Sequence, residues 1–198
     1  MAVQSPRGGY AKGRAKRREI LDHAIALFGD VGYRAASLRE IATRSGISHP
    51  GLLHHFPTKE ALLLAVLAHR DEVDGELFTG STGTDALRHL VDLVRLNTGR
   101  RAVVELFTVL SAEATTPDHP AHRFFVDRYR RTVAGVERAY VLAEKAGALR
   151  PEIDPSDAAR HLVALMDGLQ IQWLLENCKT DMTPAVHAHI QSQLRTPL

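Results

Sequence analysis

Ser48, His49 and His54 set one hydroxyl and two imidazoles within a short segment, and Arg39 and Arg44 stand a few residues before it. Hydroxyls and imidazoles hydrogen-bond to base edges and phosphate oxygens, and an arginine fork can take both acceptors of a guanine. Upstream, Arg7, Lys12, Arg14, Lys16, Arg17 and Arg18 crowd into one stretch. Cations clustered in this way neutralise phosphates and release counterions. Residues 1–60 hold ten basic against five acidic side chains, leaving fifteen against eighteen in the rest, from totals of 25 and 23. A net charge of only +2 therefore hides a polarised chain, positive towards its N-terminus. The alternative for the basic run is a solvated tail, and residues 1–13 are expected to be disordered.

Other chemistry is thinly represented. Of the eleven histidines, His54 and His55 are adjacent and His187 and His189 are two apart, spacings that diverge on a helix; only His119 and His122 stand three apart. No second cysteine and no His-Glu-x-x-His run supports them, so no metal site is expected. Cys178 is the single cysteine, which excludes an intrachain disulfide, and nothing around it suggests a catalytic thiol. The chain lacks a glycine-rich phosphate loop, a nucleophile elbow and a close carboxylate pair on one helix face. No catalytic residue and no cofactor are assigned. An all-α enzyme or carrier using an apolar cavity is the alternative function, and a basic architectural DNA binder without ligand control is a third.

The elements that position the first group are two short helices around a glycine. Ser37 is placed to cap a helix, its hydroxyl accepting from the Glu40 amide while Glu40 reaches back, a capping box. Leu38, Ile41 and Ala42 then share one face. Gly46 supplies the turn, Ser48 caps the next helix, and Pro50 falls within its first turn, where a missing amide hydrogen costs little. Leu52, Leu53 and Phe56 form its apolar edge, Pro57 closes it, and Thr58 caps a longer helix opening with Lys59 and Glu60. Two short helices joined this way have the dimensions of a helix-turn-helix, whose second helix enters a major groove. A plain helix hairpin would share this geometry, and it is the adjacent charge that favours DNA.

Beyond residue 75 the pattern stays helical, with breaks at 75–83, 97–99, 115–120, 147–155 and 180–184. These divide five further helices. Thr84 is expected to cap the first, residues 101–114 form a nearly continuous apolar helix, and a long helix runs from Asp118 or the following His-Pro to about Lys145. Another runs from Pro155 to about Asn177, and a last one from Thr183 to about Leu194. The fold expected is all-α, about nine helices, with a helix-turn-helix domain over 14–60, a connecting helix over 61–75 and a larger domain over 76–198. No apolar run approaches the roughly 20 residues of a membrane span, and the N-terminus lacks a signal peptide's apolar core. A cytoplasmic protein without membrane partners is expected. The helix from Pro155 carries Leu162, Leu165, Met166, Leu169, Ile171, Trp173 and Leu174 around more than half its circumference, too broad a stripe for one buried face.

Residues 14–70 resemble the DNA-binding domain of the TetR/AcrR family of bacterial transcriptional repressors. The likeness rests on FGDVGY at the end of the first helix, a Ser starting the second, an IA pair, a GIS turn, an HF pair and the Lys-Glu after it. The resemblance implies phosphate contacts from Ser37 and Lys59. It places groove-facing positions at Ser48, His49, Pro50, Gly51, His54 and His55. Leu53 stands where the family commonly has a phosphate-binding tyrosine, and Pro50 and Gly51 present little side chain, so arginine readout would fall to Arg39 or Arg44.

The resemblance also implies a four-helix dimer interface, carried by Asp167, Gly168, Leu169, Gln170, Trp173 and the last helix with Val186, Ile190 and Leu194. A ligand pocket would draw on Leu106, Phe107, Leu110, Phe125, Tyr129, Tyr140, Met166 and Trp173, with His161 and Glu105 as polar handles. Such a pocket suits a hydrophobic or aromatic effector. The function implied is a homodimer that binds a palindromic operator in double-stranded DNA and is released by that effector.

Overall fold

A computed structural model describes the backbone of residues 6–76 and 79–198, with side chains from residue 12 onward. Among the described residues there are nine helices: α1 (Pro6–Ala35), α2 (Leu38–Arg44), α3 (His49–His55), α4 (Lys59–Gly75), α5 (Thr84–Asn97), α6 (Arg101–Glu113), α7 (His122–Lys145), α8 (Pro155–Leu175) and α9 (Thr183–Gln193). The only β pairing among them is an isolated bridge between Leu149 and Leu194.

The apolar positions collect into two cores. The first joins Ile20, Leu27 and Phe28 of α1, Ile41 of α2, Leu52 of α3, Leu62 and Val66 of α4, and Leu106 and Leu110 of α6. The second joins Leu87 and Val91 of α5, Val136 and Tyr140 of α7, Leu162 and Trp173 of α8, and Val186 and Ile190 of α9. Each fully buried aliphatic side chain contributes roughly 1.5–3 kcal/mol of transfer free energy. Because the first core crosses from α1–α4 into α6, the helix-turn-helix end and the larger domain share packed side chains. Gly29 permits that contact, since a Cβ there would stand 3.0 Å from the Ala102 carbonyl oxygen and 3.1 Å from the Leu106 nitrogen. Leu106 is buried in this core, whereas Phe107 packs at its edge and also lines the cavity described below, so α6 serves both sides of the molecule.

Several local expectations are corrected. Residues 6–13 are helical rather than disordered, while residues 1–5 of that tail lie outside the described residues. Pro6 at the first helical position forfeits no hydrogen bond, and although Gly8, Gly9 and Gly13 are poor helix formers, residues 14–18 continue the helix with Ala, Lys and Arg, which are good ones. The capping box at Ser37 does not form: Ser37 makes no side-chain cap bond, and Glu40 is engaged by Arg44 at 2.6 Å. Ser48 and Thr58 do cap, accepting from the Gly51 and Ala61 amides. Gly46 turns the chain with φ 64°. Gly83, not Thr84, caps α5. Helix α7 starts at His122 because Pro117 and Pro120 disfavour helical backbone at the residues before them. Helix α8 stops at Leu175, followed by Asn177 and Cys178 at positive φ.

Candidate nucleic-acid interface and ligand cavity

One end of the molecule exposes the outer faces of α2 and α3. Ser37, Arg39, Arg44, Ser48, Pro50 and His54 are exposed there, and His49, Gly51, His55 and Lys59 are half-buried. Ser37 keeps its hydroxyl free of any cap bond. Arg44 is tied to Glu40, whereas Arg39 has no side-chain partner among the described residues. The Ser48 oxygen accepts from Gly51, which occupies an acceptor site and leaves its proton available. The His54 and His55 rings meet edge to face at 5.7 Å.

The basic run divides into holders and free cations. Lys16 donates to the Ser45 carbonyl oxygen at 3.1 Å and pairs with Glu19 at 2.6 Å. Arg17 donates to the His55 carbonyl oxygen at 3.2 Å and lies over the Phe56 ring at 4.2 Å. Both fasten the C-terminal ends of α2 and α3 to α1, where unpaired carbonyls attract cations. Sequence reasoning counted these two only as charge. Lys12, Arg14 and Arg18 are exposed without partners among the described residues. Lys59 donates to the Arg34 carbonyl oxygen at 3.0 Å and stands 4.7 Å over the Tyr33 ring. Burial there lowers its pKa, against an upward pull from Glu113.

The junction beneath this end is polar and partly buried. Helix α1 bends at Gly32, and the next amide, Tyr33, donates to Glu113 of α6 at 3.0 Å. His119, 5% exposed, packs edge-on against Tyr33 with centroids 5.2 Å apart. Its Nδ1 accepts from the Ala121 amide, so Nε2 carries the proton and faces Glu113 at 3.6 Å. Burial lowers the His119 pKa, with Glu113 opposing that shift. His122 turns elsewhere, to the Ala114 carbonyl oxygen at 2.7 Å. Among the described residues no group of three His, Cys, Asp or Glu side chains could hold a metal ion.

A cavity of about 1100 Å³ opens between the C-terminal end of α4 and helices α5–α8. Of the residues expected to line a pocket, it brings together Phe107, Phe125, Tyr129 and Met166. Leu106 and Leu110 lie in the first core, Tyr140 and Trp173 in the second, and His161 is exposed on α8. Glu105 faces Arg101 at 3.6 Å. Tyr140 instead donates to Gln193 at 2.5 Å, and burial holds its pKa well above the ordinary value.

The cavity also takes in charged residues that sequence reasoning missed. Arg128 of α7 pairs with Asp71 of α4 and lies over the Phe107 ring at 4.6 Å. Arg131 reaches the same Asp71 at 3.4 Å. Tyr129 donates to Asp167 at 2.9 Å. Burial, then Asp167, pushes the Tyr129 pKa up to about 12, and burial likewise raises that of Asp167. Asn97, 9% exposed, lines the wall with a side-chain oxygen that finds no donor among the described residues. The available signal was the 128, 131, 138 spacing of arginines on α7, which a periodicity reading assigns to solvent.

The interface residues inferred on α8 and α9 separate. Trp173, Val186, Ile190 and Leu194 are at most 2% exposed, so their own chain already covers them. The physical reason is that α9 packs its apolar face on α5 and α8. Asp167 and Gln170 line the cavity, and Leu169 leans on the second core. The apolar surface left on α8 is Ile171, 48% exposed, and Leu175, 77% exposed, with open space around Gly168.

Residues 20–66 match the family model described as bacterial regulatory proteins, tetR family, and residues 84–195 match that of the BetI-type transcriptional repressor C-terminal domain. The chain is 30% identical to the transcriptional repressor KstR2 of Rhodococcus jostii over 74% of each chain. It is 27% identical to the A-factor receptor protein of Streptomyces griseus, over 91% of this chain and 69% of the relative. A transcriptional regulator from Saccharomonospora viridis, solved in complex with choline, superposes with a TM-score of 0.72 at 25% identity, over 91% of this chain and 98% of that one.

Proposed function

The chain belongs to the TetR family of bacterial regulatory proteins, as a DNA-binding regulator with a BetI-type repressor C-terminal domain, and from this we propose that it represses transcription as an effector-released homodimer. The observation that supports the reading is that α4 links a polar, cation-bearing surface at its N-terminal end to a cavity at its C-terminal end. The surface is the polar outer face of α2 and α3 with the free cations of α1, and the cavity is lined by the end of α4 and by α5–α8. Helix α4 runs between them, from Lys59 at the DNA-facing end to Asp71 and Asp74 at the cavity.

In this reading α3 enters the major groove. Ser37 and Lys59 hold phosphates while His49, His54 and Ser48 meet base edges, with Arg39 the side chain free to reach further. Pro50 and Gly51 allow close backbone approach. Two such heads on a two-fold axis read a palindrome, and the exposed Ile171 and Leu175 of α8 supply apolar surface for that axis. An effector in the cavity favours a conformation whose two α3 helices no longer match successive grooves. It need only prefer that state over the DNA-bound one.

An electrophoretic mobility shift with DNA from upstream of the chain's own gene, repeated with candidate effectors, tests this reading. A discrete shifted band that an effector dissolves supports it. A band indifferent to DNA sequence contradicts it.

A further inference from the structure

The charges around the cavity are not evenly committed. Asp74 is held between Arg70 at 2.5 Å and Arg100 at 3.3 Å, and Asp167 accepts from Tyr129. Among the described residues Glu72 is the one lining carboxylate without a partner, and it is exposed. Helix α7, by contrast, sends Arg128, Arg131 and Arg138 to the cavity, and among the described residues Asp71 is their one direct ion-pair partner across it, with Asp167 acting on Arg128 from further off. Arg138 has no ion-pair partner among the described residues, and the side chain of Arg131 is 63% exposed despite its contact with Asp71. Gly135, between them on the same lining face, leaves the approach open. The same lining carries an apolar share from Leu93, Val103, Phe107, Val136, Val163 and Met166, alongside polar groups such as Asn97 and Gln170. A space of about 1100 Å³ is at the upper end of ligand pockets, which run to roughly 1,000 Å³.

Resting on the reading of this cavity as the effector site, we propose that the effector is an elongated amphipathic anion, an apolar body ending in a carboxylate or phosphate, whose head group is taken by Arg128, Arg131 and Arg138 in place of Asp71. The guanidinium fork matches the two oxygens of such a head group, and the Phe107 ring fixes the plane of the Arg128 fork. The head group competes with Asp71 for the α7 arginines. Asp71 belongs to α4, so this exchange loosens α4 from α7 at the end opposite Lys59. Binding of the anion and release of the DNA-facing end are then two sides of one substitution of partners.

Isothermal titration of the purified chain with four twelve-carbon probes, each below its micelle concentration, tests the proposal: dodecanoate, dodecyl phosphate, dodecanol and dodecyltrimethylammonium. At least one anion should bind about tenfold or more tighter than the alcohol, as charge-assisted hydrogen bonds predict, and the tighter of the two identifies the head group. The exposed pair Arg131→Gln with Arg138→Gln should bring that ratio close to one. Asp71→Asn, which removes the competitor, should tighten the anion severalfold. Nile red, an uncharged apolar dye, reports the cavity independently. If Nile red binds but the alcohol matches both anions, or the ammonium binds tightest, the head-group proposal is overturned and the cavity reading stands. If neither Nile red nor any of the four chains binds, the cavity reading fails and the proposal with it.

Discussion

At the scale of single residues, the α2–α3 end separates side chains that hold the fold from those free to touch a partner. Lys59 has a double engagement, with the Arg34 carbonyl and the Tyr33 ring. We expect Lys59→Ala to weaken binding about equally on every DNA sequence and to reduce the salt slope by about one, whereas His49→Ala should change sequence preference. Anisotropy titrations on a panel of base-substituted duplexes separate the two. His119 makes a pH prediction at the junction. Its folded pKa is depressed by burial, so its contribution is present above the ordinary histidine value of about 6.5 and is lost as pH falls towards the depressed value. Wild type should therefore lose more urea resistance than His119→Phe between about pH 7.5 and about pH 5.5. Equal losses would contradict the assignment. The Ser37 capping box was the misleading residue-level signal: Glu40 had two partners within reach, and a charged one four residues on won.

At the scale of helices, much was legible because caps, prolines and periodicity act locally. The breaks at Gly46, Pro57, Pro155 and Pro184 stand where the sequence places them. Long-range choices were not legible. Nothing in the periodicity of α6 says that Leu106 turns to α1 while Phe107 turns to the cavity, nor that Arg128 would find Asp71 on another helix. The same limit hid the meaning of Gly29, which reads as a weak point in α1 until α6 lies against it. Gly29→Ala should force α1 and α6 apart and destabilise the chain by about 1–3 kcal/mol, the usual cost of overpacking. A denaturation midpoint unchanged by this substitution would mean that the close approach carries no energetic weight.

At the scale of the whole molecule, a polarised charge distribution is carried on a two-core body in which the first core runs from α1–α4 into α6 and α7. No helix among the described residues is long and apolar enough to cross a membrane. The broad stripe on α8 predicts a need for extra cover, and most of it is covered by the chain's own α7, α6 and α9. What stays bare is Ile171 and Leu175. Ile171→Asp with Leu175→Glu should convert a dimer to a monomer in sedimentation, because burying an unpaired charge costs several kcal/mol. The central claim, that the chain reads a specific DNA site as a dimer, is tested most directly by anisotropy titration on DNA from upstream of its own gene and on a scrambled duplex, across a salt series. Two chains per site, affinity that falls steeply with salt, and a preference of roughly a thousandfold or more for the true site are expected. Equal affinity for both duplexes at every salt concentration would contradict it.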